Sequence, residues 1–371
     1  MDHLLGSRQD WTRSTPQSYE GTRLCLVGSP TPVSAALCRP RKSEERRIHE
    51  RQGFHDLEAL LHVLFEEGAY SRALEALDTL DADYSDQAVI LQLLRARILG
   101  GLGRPDEALE ALQAGLNQGL WWSRDTLLSA RELAPLQMHP SFLRVVRQCD
   151  ARHHEAASGR DRELVMYVPD SGSSAPMTLI ALNGRGRGSR YFASHWTSVV
   201  DRGIGLAVPQ SGRSFAHGLY EWVSADHAQR ELDALCASLR DTEWFDSSSF
   251  IAAGYSDAAL LASIAALKGT VRAFIAVAPT LRFAAALHQT IASPGYKIPA
   301  THTCGAIIVG RTSGTYRSAE ALHAILRSLG VASRLLTDER MSDSFPPNFD
   351  SLLKQAIEFC SSRINELAGR S

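Results

Sequence analysis

Phe250-Ile251-Ala252-Ala253-Gly254-Tyr255-Ser256-Asp257-Ala258-Ala259 is the stretch that decides how this chain is read. Phe250 to Ala253 has the apolar character of a short buried strand, and Ala258 to Leu267 has the composition of a buried helix. Between them sit Gly254, which permits a close backbone approach, and Ser256, just ahead of the helix. A strand that breaks into a tight turn and then a helix lifts such a serine above the sheet. The helix start also offers backbone N–H groups to an anion forming there, the first of them from Asp257. The second small position of the turn, usually glycine, is Ala258.

The same grammar extends in both directions. Leu164 to Val168, Met177 to Leu182, Ile204 to Val208, Val271 to Val277, Ala306 to Val309 and Ala332 to Leu336 read as strands. His227 to Leu239, Ala319 to Leu329 and Phe349 to Cys360 read as helices. Continuous apolar strands alternating with helices predict an α/β domain over 163–371, with a mostly parallel, doubly wound sheet covered on both faces.

Upstream the pattern is helical over 51–149. Gly68-Ala69-Tyr70 followed by Ala73-Leu74-Glu75-Ala76-Leu77 is echoed by Gly103-Arg104-Pro105 followed by Ala108-Leu109-Glu110-Ala111-Leu112. The offset of 35 residues is close to the ~34 of a tetratricopeptide repeat. Fewer than three such units do not make a free-standing solenoid, so these helices are expected to pack on another part of the chain. Trp121-Trp122 is expected to anchor them. The charged segment 150–162 reads as a linker, and the Ser-, Pro- and Arg-rich segment 1–50 as a disordered or irregular extension.

Composition narrows the function classes. A chain of 371 residues with 44% hydrophobic residues fits two globular domains. The net charge of −2, from 39 basic and 41 acidic residues, makes no electrostatic case for nucleic acid or an anionic membrane. Six scattered cysteines form no Cys-x-x-Cys pair and fit reduced thiols in a cytoplasmic protein. No apolar run approaches the ~20 residues of a membrane span. The polar N-terminus holds no signal-peptide core. Neither metal-ligand spacing nor a phosphate-binding loop is present, so no metal and no cofactor are expected.

Several further motifs join the serine turn: Gly119-Leu120-Trp121-Trp122, Leu182-Asn183-Gly184, Val208-Pro209-Gln210-Ser211, Tyr220-Glu221-Trp222 and Phe345-Pro346-Pro347. On these residues the chain resembles the α/β-hydrolase superfamily, in its dienelactone-hydrolase and prolyl-oligopeptidase-like groups, over roughly residues 57 to 360. A tetratricopeptide-like region stands in front. The resemblance implies an α/β-hydrolase fold and ester or peptide hydrolysis by a serine, a histidine and an acid. It makes Ser256 the nucleophile. It gives the second oxyanion donor to the loop Asn183-Gly184, with Arg185 beside it, where the family has His-Gly. The acid position falls on Ser313 and the histidine position on Asp343.

Those two departures bear on chemistry. An imidazole with a pKa of ~6.5 takes and returns a serine proton at neutral pH. A carboxylate of pKa ~3.9 is a far poorer base. His217, in the loop after the third α/β-domain strand, is the candidate replacement, because loops at the carboxyl ends of strands border the site. His302 precedes a strand, and His227 and His323 sit on helices. Arg185, Arg187 and Arg311 are candidates to line the mouth and attract an anion.

Two function classes follow. One is a pseudo-hydrolase, a binding or interaction module with a degenerate triad. The alternative is an unorthodox serine hydrolase, or an acyl-transfer or cyclisation enzyme, using Ser256 with Asp343 or His217. A small-molecule or peptide ligand and a protein partner on the helical region are the expected partners.

Overall fold

Eight strands lie side by side in the centre of the computed structural model. It describes residues 22–27, 57, 60–61, 63–65, 67–79, 87–158, 162–169, 177–241, 249–293, 303–339, 345 and 348–368. In chain order the strands of both its sheets are β1 (Thr22–Val27), β2 (Arg162–Tyr167), β3 (Thr178–Leu182), β4 (Gly186–Arg187), β5 (Gly205–Pro209), β6 (Arg213–Ala216), β7 (Leu219–Glu221), β8 (Phe250–Tyr255), β9 (Ala273–Val277), β10 (Cys304–Gly310) and β11 (Ala332–Asp338). The large sheet has the order β1-β2-β5-β3-β8-β9-β10-β11. All neighbours in it are parallel except β2 against β5.

The central strands β3, β9 and β10 are buried along their whole length. That is why they read as unbroken apolar runs. Helices cover both faces. The helical elements are α1 (Tyr70–Asp78), α2 (Ala88–Gly101), α3 (Pro105–Asn117), α4 (Arg124–Ser129), α5 (Pro140–Ser158), α6 (Ser189–Ala193), α7 (Ala225–Arg240), α8 (Asp257–Leu267), α9 (Ala284–Ala292), α10 (Tyr316–Ser328) and α11 (Phe349–Ala368). α7, α8 and α10 pack on one face, α6 and α11 on the other. α8 is buried on every side from Ala258 to Leu267, which explains its lack of a polar stripe. The sheet order, its single antiparallel junction and the serine turn at the end of β8 make this an α/β-hydrolase-type fold.

Two boundaries move. Thr22–Val27, inside the segment read as an irregular extension, forms β1 and pairs in parallel with β2. The segment read as a linker from 150 is helical through Ser158, as the end of α5. One face of α5 is enough to bury it, so its charged residues did not interrupt the helix.

Gly68 and Gly103, the glycines of the echoed motif, both take a left-handed φ, +67° and +70°. Pro105 opens α3, with Asp106 and Glu107 in its first turn, where proline and negative charge favour a helix start. Trp122 is fully buried. Its indole N–H donates to the Val89 carbonyl at 2.9 Å, and its ring leaves no room for a side chain at Gly115, where a Cβ would lie 2.5 Å away.

What the helices pack on is a second sheet, β4-β7-β6. The Ser123 N–H donates to the Phe215 carbonyl at 2.8 Å, and the His217 N–H donates to the Trp121 carbonyl at 2.9 Å. Phe215, Ala216 and Leu219 complete the core of the helical part. These strands have two to four residues, too few for a periodic signal. No helix among the described residues is long and apolar enough to cross a membrane. Cys149, Cys236, Cys304 and Cys360 are free and buried. Burial pushes the Cys149 thiol up to about 11 and the Cys236 thiol up to about 12, so both stay protonated and unreactive.

Candidate functional site

β8 ends in a strained turn. Ser256 has φ 56° and ψ −120°, and among the described residues only it and Ala278 are non-glycine residues with positive φ. Such a conformation costs about 1–3 kcal/mol and persists only where its surroundings enforce it. The enforcement is visible. The Ser256 N–H donates to the Val277 carbonyl of β9 at 2.9 Å, and the Ser256 carbonyl accepts from the Ala259 N–H at 3.1 Å. Gly254 is obligatory, because a Cβ there would lie 2.1 Å from the Ala258 carbonyl oxygen.

Gly184 closes the turn from the opposite side. A Cβ on it would sit 2.8 Å from the Tyr255 carbonyl oxygen and 3.2 Å from the Ser256 Cβ. Its loop is pinned by Asn183, which is buried, accepts from the Trp222 indole N–H at 2.8 Å and donates from Nδ2 to the Gly184 carbonyl at 3.2 Å. Asp257 spends its carboxylate on the Thr280 hydroxyl (2.6 Å) and the Arg282 guanidinium (2.9 Å). Its backbone N–H stands in the first turn of α8, where helix N–H groups lack intrahelical acceptors.

A cavity of about 600 Å³ adjoins this turn. Asn183, Gly184, Arg185 and Tyr255 form its floor, and Tyr191, Phe192, His195 and Phe345 one wall. The Gln87–Arg97 stretch around α2, with Thr126, Ser129 and Ala130 from α4 and its C-terminal end, supplies the roof, and Phe215, Ala216 and Leu219 the remaining side. The Phe345 ring stacks on both Tyr255 (4.5 Å, 20°) and His195 (4.3 Å, 4°). Both parts of the chain therefore build one concave, aromatic-rich space.

Charges knit the turn to the small sheet. Glu221 on β7 meets Arg282 at 3.0 Å, Arg185 at 3.2 Å and Arg213 at 3.7 Å. Arg213 also reaches Asp125 of α4 at 2.5 Å. Arg185 lies over the Phe215 ring at 4.1 Å. Burial opposes the charge on Arg282, yet its bonds to Asp257 and Glu221 outweigh that and hold its pKa above the usual value.

The sequence-derived candidates separate. Ser256, Asp257, Asn183, Gly184 and Arg185 come together at the turn. The Ser256 hydroxyl has no hydrogen-bond partner among the described residues. Asp343 lies outside the described residues, as does His302. His217 is exposed at the β6–β7 turn, with its ring edge-on to Trp121 at 6.3 Å, and is not part of the cavity wall. Ser313 accepts from the Thr315 N–H at 3.0 Å and bonds the Thr315 hydroxyl at 2.8 Å, so it shapes the turn into α10. Arg311 pairs with Glu339 at 2.9 Å. The Arg187 side chain lies outside the description. His227 meets Glu231 at 3.5 Å, and His323 meets the Ser333 hydroxyl at 2.9 Å. Sequence reasoning missed His195, Arg97 and the Arg282–Glu221 pair. The aromatic run Tyr191-Phe192 beside His195 was the one local signal. Among the described residues no cluster of three or more His, Cys, Asp or Glu side chains is arranged to hold a metal.

No protein-family model matches the chain, and no curated protein matches it. Solved structures do. An uncharacterized protein from Bacillus cereus ATCC 10987 is similar at 18% identity and a TM-score of 0.45, over 84% of this chain and 98% of its own. The esterase PE8 is similar at 18% identity and 0.42, over 52% of this chain and 97% of its own. A carboxylesterase from Mesorhizobium loti is similar at 17% identity and 0.40, over 50% and 89% respectively.

Proposed function

We propose that this α/β-hydrolase-type protein is a pseudo-hydrolase that binds a small organic ligand in the cavity beside Ser256. The observation that carries the reading is the cavity itself: about 600 Å³, aromatic, and walled by both the α/β part and the helical part. A space of that size buries most of a small ligand. Two details favour binding over turnover. Ser313, at the position the resemblance gives to an acid, is committed to the turn before α10. His217, the candidate base, faces the seam with Trp121. We extend the reading to a cytoplasmic protein, on its buried unpaired thiols. In it the tetratricopeptide-like helices carry a protein partner on their outer side.

A second reading, acyl transfer at Ser256, is favoured by one observation, the retained strain at φ 56°. A fluorophosphonate probe separates the two. The proposal expects no adduct on Ser256 of the folded protein by intact-mass analysis. An adduct that disappears in Ser256→Ala replaces it with the enzyme reading.

A further inference from the structure

The cavity carries two arginines, one from each half of the chain. Arg97 comes from α2 and Arg185 from the loop after β3, and both line the space. Each is backed by a glutamate that does not line it: Arg97 Nε donates to Glu132 at 2.9 Å, and Arg185 Nε faces Glu221 at 3.2 Å. A guanidinium carries five N–H donors in a planar fork, so a contact through Nε leaves the terminal amino groups for another acceptor. The positive ends thus border the cavity while their counter-charges stand behind the wall.

The two groups also feel each other. Burial depresses the Arg185 pKa most; Glu221 opposes this, and the charges of Arg282 and Arg97 add to the depression. Like charges from opposite walls of one space repel, and an anion between them removes the repulsion. Arg185 is held in place by Phe215 beneath its plane at 4.1 Å and Arg97 by Phe65 at 4.6 Å, so each fork is positioned before any ligand arrives. Beyond the arginines the lining is aromatic, with Tyr191, Phe192, His195, Tyr255 and Phe345, and the stacking of Phe345 between Tyr255 and His195 holds that wall rigid, which suits a flat ring.

We infer that the cavity takes an aromatic carboxylate, its carboxylate bridged between Arg97 and Arg185 and its ring among the aromatic side chains of the lining, Tyr191, His195 and Tyr255. A planar carboxylate matches the guanidinium fork in a way a spherical ion does not. The inference rests on the ligand-binding reading above and adds the charge and shape of the ligand to it.

Calorimetric titration of the full chain with 1-naphthoate and the neutral 1-naphthamide tests it. The clamp expects 1-naphthoate to bind at least about tenfold tighter than the amide, consistent with charge-assisted hydrogen bonds to two guanidinium groups. Arg185→Met brings 1-naphthoate down to the level of the amide and leaves the amide unchanged. Glu221 retains Arg282 and Arg213 in that variant, so no carboxylate is stranded. From the roof side, Arg97→Met combined with Glu132→Gln does the same without burying a lone charge. Equal wild-type affinity for the two probes overturns the inference and leaves the binding cavity standing. A loss in Arg185→Met but none in the double variant overturns the bridge between the two halves. Binding of neither probe overturns the ligand-binding reading and this inference with it.

Discussion

Replacing Ser256 by glycine and, separately, by alanine isolates the strain stored in the turn. Both substitutions remove a hydroxyl that has no partner among the described residues. Both keep the N–H bond to Val277 and the carbonyl bond from Ala259. They differ in one respect: alanine must occupy φ 56°, ψ −120° with a Cβ, and glycine does so freely. Relief of the strain is worth about 1–3 kcal/mol. Glycine gives back about 0.5–1 kcal/mol through the greater freedom of its unfolded chain. Ser256→Gly is therefore expected to be more stable than Ser256→Ala by about 1 kcal/mol, within a span of about 0–2.5 kcal/mol, and Ser256→Ala to match wild type. Thermal unfolding followed by circular dichroism resolves this, since ~1 kcal/mol moves the midpoint of a domain this size by about 2–4 °C. Glycine melting below alanine refutes the claim that this serine is held in a strained conformation.

Two further outcomes follow from the helical part. Trp122→Phe removes the indole donor to the Val89 carbonyl and opens space beside Gly115. It is expected to cost about 2–4 kcal/mol and to speed limited proteolysis within 88–130 before cleavage within 250–280. Glu132 titrates against two opposing influences: burial raises its pKa, while the Arg97 bond, a backbone N–H and Arg131 together lower it further. Its folded value is therefore below the unfolded ~4.3, so its stabilisation is complete above that pH and is lost as pH falls through the folded value. The stability gap between wild type and Glu132→Gln, measured by urea unfolding, is expected to narrow below about pH 4.3 and stay constant above it.

What could be read from residues alone follows burial. β3, β8, β9 and β10 are covered on both faces, so their apolar runs announce them, and the glycine–serine turn after β8 announces the fold. β1 carries a strand-like Thr22–Val27 within a polar, proline-rich context, and composition over the longer window hid it. The last turns of α5 looked like a linker because Arg152, His153 and His154 do their packing with polar side chains: Arg152 donates to the Leu116 and Leu120 carbonyls, and His153 stacks on Trp121 at 5.0 Å. The site divides the same way. Gly184 and Ser256 belong to local motifs. Arg97, His195 and Arg282 become neighbours of the turn only through the packing of distant segments, which no local spacing encodes.

The hairpin of β6 and β7 has a consequence for how this protein can be taken apart. The helical half ends at Ser158 along the chain, yet its interior is finished by Phe215, Ala216 and Leu219, more than fifty residues later. A fragment cut near 160 lacks the wedge that seals its own interior, and a remainder starting there exposes an oily hairpin. Neither piece is a self-sufficient module. Grafting this helical roof onto another hydrolase scaffold requires transplanting 213–221 with it, and with that ribbon goes Glu221, the acidic hinge pin that ties the roof to the floor.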